Sequence, residues 1–179
     1  MIRNRRGFTL IELVTVIAIV AIALLVTIPA YSSWIPDVNL RSAIRNIKSD
    51  MELGRLTAVR ENSRYALIFD TVNNSYTLFQ DNNGDLVLDA GETTLKSVPM
   101  PDNVTIRAAQ TNFEGEKKVG FNNRGIPYAY DSGLLLPVDL TSTGFATLRN
   151  TKSNKRRVSV TIVGNVRVER WTGSSWVKD

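Results

Sequence analysis

The chain has 179 residues, a formal net charge of +5, and neither histidine nor cysteine. Missing both residue types excludes histidine-based acid–base catalysis, histidine-containing triads, His/Cys zinc sites and disulfide staples. The length allows one domain beside an anchor, and the charge does not by itself imply a nucleic-acid partner, because Arg3, Arg5 and Arg6 carry three of the five net charges. No Gly-x-Ser-x-Gly elbow, Walker loop or dinucleotide fingerprint occurs, so no enzymatic activity is expected.

Residues 7–12 read Gly-Phe-Thr-Leu-Ile-Glu, and the stretch Phe8–Ala30 contains a single ionisable side chain, Glu12. As a helix that stretch would extend roughly 35 Å, enough to cross a hydrocarbon core. The basic flank belongs on the cytoplasmic side and the rest of the chain outside. A carboxylate within such a span is costly, which makes Glu12 a functional-site candidate. A secretory signal peptide has a shorter apolar region followed by a small-residue cleavage site. Ala21-Ile22-Ala23 imitates such a site, but apolar residues continue beyond it.

The basic leader ending in Gly7, then Phe8-Thr9-Leu10-Ile11-Glu12, then an apolar helix, closely resembles the N-terminus of type IV prepilins and type II secretion pseudopilins. The resemblance implies a leader of residues 1–7 that a prepilin peptidase removes between Gly7 and Phe8. Phe8 then becomes the mature N-terminus and is N-methylated. Glu12 falls at the fifth mature position, where the family uses a glutamate for assembly and for pairing with the positive N-terminus of a neighbouring subunit. Opposite charges attract far more strongly in a low-dielectric bundle than in water. The implied partners are other pilin or pseudopilin subunits, the peptidase and an inner-membrane assembly platform. The implied location is the bacterial inner membrane, single-pass, with the C-terminal domain periplasmic. In the assembled filament the domain is periplasmic or at the cell surface. The shared N-terminus serves pili and secretion systems alike and does not choose between them.

After Pro29 the helix is expected to continue, with Pro36 as a second irregularity. Leu40, Ile44, Ile47, Met51, Ala58 and Val59 lie mainly along one stripe, with charged residues elsewhere. The spacing predicts one long helix over 8–62, its first part 8–30 in the membrane or filament core. A coiled-coil dimer is the competing reading, but the stripe is short for a heptad assignment. From Ser63 the period changes. Tyr65–Phe69, Tyr76–Phe79, Val104–Ile106, Val119–Phe121, Phe145–Leu148, Val158–Val163 and Val166–Val168 are short and β-rich, with Asn- and Gly-containing turns between them. The fold class is therefore α+β. A long N-terminal helix packs on an antiparallel, sandwich-like β domain over 63–179, where about 115 residues suffice for one modest core.

Phe121-Asn122-Asn123-Arg124-Gly125-Ile126-Pro127, Thr147-Leu148-Arg149, Arg157-Val158-Ser159-Val160 and Gly164-Asn165-Val166-Arg167-Val168 resemble the GspH/FimT group of minor pilins. That resemblance implies a minor, structural subunit of a helical filament, with a long helix on a β-sandwich.

Two further segments are candidate sites. Asp81, Asn83, Asp85, Asp89 and Glu92 occupy positions 1, 3, 5, 9 and 12 of an EF-hand-type calcium loop, and Val87 offers its carbonyl at position 7. Leu86 stands where that motif has glycine. A plain solvated turn is the competing reading, since Asp, Asn and Gly also build turns. Residues 149–170 carry Arg149, Lys152, Lys155, Arg156, Arg157, Arg167 and Arg170 against only Glu169. FimT-type pilins in some bacteria bind DNA for natural transformation through a C-terminal Gly-Arg-x-Arg motif. Here Gly164-Asn165-Val166-Arg167 occupies that place, with Asn165 in place of the first arginine. Clustered charge at Lys152, Lys155, Arg156 and Arg157 suits phosphates, and Trp171 and Trp176 suit base stacking. DNA binding is thus the alternative function.

Overall fold

The computed structural model describes residues 8–113, 117–131, 134–137 and 144–179. One helix, α1, runs over Leu10–Arg60. It crosses two compact units, residues 1–35 and 36–179. In the first unit every described side chain from Phe8 to Trp34 is exposed, although nearly all are apolar. A helix that is apolar all round needs a non-aqueous surrounding. It is the one helix among the described residues long and apolar enough to cross a membrane. Its few hydroxyls bond back to its own carbonyls: Thr15 to Ile11 at 2.9 Å, Thr27 to Ala23 at 2.8 Å and Ser33 to Ala30 at 2.8 Å. Each such bond spares a hydroxyl proton from seeking water inside an apolar medium. Pro29 and Pro36 each remove one backbone donor, yet the helix continues through both.

In the second unit the same helix becomes one-sided. Leu40, Ala43, Ile44, Ile47, Met51 and Ala58 are buried. Val59, expected on that stripe, is 50% exposed; one residue past Ala58 the helix has turned by about 100°, which carries the side chain off the face. Among the described residues eleven strands follow: β1 Tyr65–Asp70, β2 Ser75–Gln80, β3 Thr94–Pro99, β4 Val104–Asn112, β5 Lys118–Phe121, β6 Pro127–Asp131, β7 Leu134–Pro137, β8 Gly144–Asn150, β9 Lys155–Val160, β10 Val166–Trp171 and β11 Trp176–Lys178. They form a six-stranded sheet in the order β3-β2-β1-β5-β6-β7 and a five-stranded sheet in the order β11-β10-β9-β8-β4. The paired strands are antiparallel.

One core joins the helix to both sheets. It contains the helix stripe, Tyr65, Leu67, Phe69, Tyr76 and Leu78 from the first sheet, and Val104, Ile106, Leu148, Val158 and Val160 from the second. Strand β1 is buried on both faces, so its residues read as a continuous apolar run rather than an alternation. Ala66 points away from the helix into a second cluster with Phe79, Leu86 and Tyr128. Polar pins fix the helix on this core. The buried Asp50 carboxylate accepts from Tyr76 Oη at 2.5 Å and from Lys96 Nζ at 2.7 Å. Burial, reinforced by that carboxylate, pushes the Tyr76 hydroxyl above its usual range.

Strands β3, β6, β7 and β11 have no counterpart in the sequence reading. β3 is an almost fully exposed edge, so it lacks the apolar signal by which strands are found. Val158–Val163 was expected as one strand, but β9 spans Lys155–Val160 and residues 161–165 form the turn, closed by Thr161 N to Asn165 O at 3.0 Å and Gly164 N to Thr161 O at 2.7 Å. The apolar Ile162 and Val163 sit in that turn, with Val163 exposed.

Candidate functional site

Gly7 lies outside the described residues; Phe8 is 81% exposed just ahead of α1. Thr9 caps the helix, its Oγ1 accepting from Glu12 N at 3.3 Å. The Thr9-x-x-Glu12 spacing is also that of a capping box, a signal legible in the sequence. Glu12 therefore sits in the first turn, where the helix dipole favours a negative charge. Its carboxylate has no ion pair or hydrogen bond among the described residues and is exposed, free for a group from outside the chain.

The second group of motif residues converges on one side chain that sequence reasoning missed. Arg55 donates from Nε to Gly125 O and from Nη1 to Gly164 O, both at 3.0 Å. The two glycine turns of the C-terminal motif thus close around an arginine of the helix. Both glycines have positive φ, +72° and +78°, and a Cβ on Gly164 would lie 2.6 Å from Gly125 O. Only glycine fits such a turn and such a contact without strain. Asn122 shapes the first turn by accepting from Arg124 N at 2.9 Å and Ile126 N at 3.0 Å.

The loop between β2 and β3 holds the calcium candidates. Asp81 is fully buried and accepts from Gly84 N at 2.7 Å, Leu86 N at 3.3 Å and Tyr128 Oη at 2.6 Å. Burial first, and the Asp81 carboxylate second, push the Tyr128 hydroxyl well above its usual range. Asn83 Nδ2 donates to Asp85 at 2.8 Å and Asp89 at 3.1 Å, and Asp85 accepts from Val87 N at 2.7 Å. Glu92 accepts from Asn82 N at 2.8 Å and Asp89 N at 3.2 Å. The carboxylates are arranged around N–H and O–H donors. Among the described residues no three acidic side chains converge closely enough to hold a metal ion. Leu86 adopts φ +59°, the left-handed conformation the motif reserves for glycine, and buries its side chain under Phe79 and Tyr128.

The basic segment is divided by the pleat of β9. Arg157 pairs with Glu169 and its guanidinium lies 4.5 Å from the Trp176 ring centroid. Lys155, on the same face, lies 6.0 Å from the Trp171 ring centroid. Trp171 and Trp176 pack on each other with centroids 5.3 Å apart. Arg156 faces the opposite way, is 9% exposed, and pairs with Asp179. Lys152 and Arg167 remain exposed, in the β8–β9 turn and on β10. The contiguous run Lys155-Arg156-Arg157 is thus not one surface, because successive strand residues point to opposite faces.

Comparison with known proteins places these features. Residues 2–28 match the prokaryotic N-terminal methylation motif, the mark of prepilin-like chains. Residues 43–165, more than two-thirds of the chain, match the family described as type II transport protein GspH. The chain belongs to the GspH family of minor pseudopilins and pilins. Among solved structures it is similar to the minor pseudopilin EpsH from the type 2 secretion system of Vibrio cholerae, at 9% identity and TM-score 0.51, over 73% of this chain and 95% of that one. It is also similar to the type IV minor pilin FimU of Pseudomonas aeruginosa PAO1, at 14% identity and TM-score 0.50, over 77% of this chain and 92% of that one. At these identities the likeness is one of fold. No curated protein gave a significant match.

Proposed function

We propose that the chain works as a structural subunit of a helical filament and performs no chemistry itself. Prepilin peptidase cuts between Gly7 and Phe8, and Phe8 is then N-methylated. Before assembly the subunit is held in the bacterial inner membrane by residues 8–30, with its β domain in the periplasm. An inner-membrane platform then adds it to other pilin or pseudopilin subunits. The observation that carries this reading is the first unit, an apolar helix with no buried side chain whose one carboxylate, Glu12, has no partner within the described chain. Both features call for surroundings supplied by lipid and then by neighbouring helices. The intact mass of the protein isolated from its native host tests it. The expected mass is that of a chain starting at Phe8 with one added methyl group. A chain starting at Met1, or after Ala23, would overturn the reading.

The alternative, a DNA-binding subunit for natural transformation, draws its support from Lys152, Arg167 and the tryptophan pair. It has less to rest on, because Arg156 and Arg157 are each paired with a carboxylate of the chain. Calcium at Asp81–Glu92 likewise has the loop composition in its favour and the donor-filled carboxylates against it.

A further inference from the structure

A groove of about 470 Å³ opens between the middle of α1 and the β9–β11 side of the second sheet. Its helix wall carries Arg41, Arg45 and Lys48, and its sheet wall Arg156, Arg170 and Lys178. Among the described residues Asp179 is the one acidic residue lining it. Arg41 and Arg45 are exposed and one turn apart, so they present as neighbours. Arg156 is nearly buried at the back of the groove and pairs with Asp179, which is itself held by its backbone N donating to Val168 O at 3.0 Å. Lys48 has a surface partner, Glu52, at 3.4 Å. Arg41, Arg45, Arg170 and Lys178 have no ion pair or side-chain hydrogen bond among the described residues.

We propose that this groove docks an acidic, carboxylate-bearing segment of a neighbouring subunit. The proposal rests on the filament-subunit reading and names a contact that reading leaves open. Four unpaired cations gathered around a fifth, buried one repel one another, and an incoming anion relieves that repulsion. Burial holds the Arg156 guanidinium below its ordinary proton affinity, and Arg41, Arg170 and Arg45 add to the effect while Asp37 opposes it. Asp179 also displays the chemistry that fits: a carboxylate on an extended segment, set against an arginine fork. The groove has room for a few side chains, within the range of a small-ligand cleft. Duplex DNA contacts proteins along lines of phosphates and suits an open face better than a groove walled by helix and sheet.

The test uses the full chain in detergent with a fluorescent hexaglutamate peptide as probe, and inorganic phosphate and duplex DNA as competitors. The peptide should bind at low salt and weaken as salt rises. Arg41→Glu with Arg45→Glu should weaken it about tenfold or more, and Arg41→Gln with Arg45→Gln by less. Reversing the same number of charges away from the groove, Lys117→Glu with Arg124→Glu, should leave it unchanged. Because all four positions are exposed, melting of each variant should match the parent. Absence of peptide binding, equal loss in both reversed pairs, or displacement by inorganic phosphate or duplex DNA at lower concentration than by unlabelled peptide would each overturn the proposal. In the native host the groove pair should also be depleted from sheared filaments, while the control pair is retained. Wild-type recovery of the groove variant would sink the docking role alone, whereas absence of the parent chain from filaments would sink the filament reading and the docking role with it, leaving peptide binding by the purified chain as a separate result.

Discussion

The two halves of α1 obey the same backbone rules and meet opposite fates. From Phe8 to Trp34 no residue is buried, while from Pro36 to Ala58 ten are. The first half is apolar on every side and finds no cover among the described residues. The second alternates a narrow apolar stripe with charge and finds two sheets. The difference teaches that the first half is built for intermolecular surroundings and the second for an intramolecular core. Substitutions of like chemistry should therefore damage different properties in the two halves.

The largest effect is expected at Glu12. Glu12→Ala should leave membrane insertion and leader cleavage largely intact and remove most of the subunit from sheared filaments, because the proposed filament role makes this carboxylate a charge partner inside the bundle. Parent-level recovery of that variant in filaments would erase the functional side of the comparison. Next comes a matched pair of isoleucines. Ile47 is fully buried and Ile17 is 60% exposed. Ile47→Ala should cost the folded domain about 2–5 kcal/mol, read by chemical denaturation of the full chain in detergent. Ile17→Ala should leave that unfolding transition in place. Equal destabilisation by both would mean that the first half of the helix is packed within the monomer after all.

Within the second unit, Gly164→Ala should cost about 1–3 kcal/mol, combining left-handed backbone strain with the clash against Gly125 O. Arg55→Met should cost about 1–3 kcal/mol by leaving the carbonyls of Gly125 and Gly164 without their donor. If either variant unfolds at the parent's denaturant concentration, the closure of the two turns on the helix contributes nothing. The smallest effect is expected from calcium. A metal that binds only the folded state raises stability by about 2.7 kcal/mol at one hundred times its dissociation constant. With its carboxylates already filled by N–H and O–H donors, the Asp81–Glu92 loop should give the same melting temperature in millimolar calcium as in chelator. A rise that Asp85→Ala abolishes would restore the calcium site.

Local pattern made part of this protein legible and tertiary contact the rest. The N-terminal methylation motif, the apolar span and Glu12 stand in one continuous segment, and their signal is composition at fixed spacing. The strands with apolar cores, β1, β2, β4, β5, β8, β9 and β10, were legible for the same reason, because burial on a pleated surface imposes its period on neighbouring residues. The exposed edge β3 buries too little to leave such a period. The role of Leu86 was hidden because a left-handed, buried leucine breaks the usual pairing of that conformation with glycine. The grouping of cations also had to wait for the fold. In sequence, Lys155, Arg156 and Arg157 look like one patch and Arg41 and Arg45 look unrelated to it. The pleat of β9 separates the triplet, and the packing of α1 beside the second sheet brings Arg41 and Arg45 to Arg156 and Arg170. Periodicity reports which way a residue faces within its own element, whereas charges more than a hundred residues apart become neighbours only through the packing of one element on another.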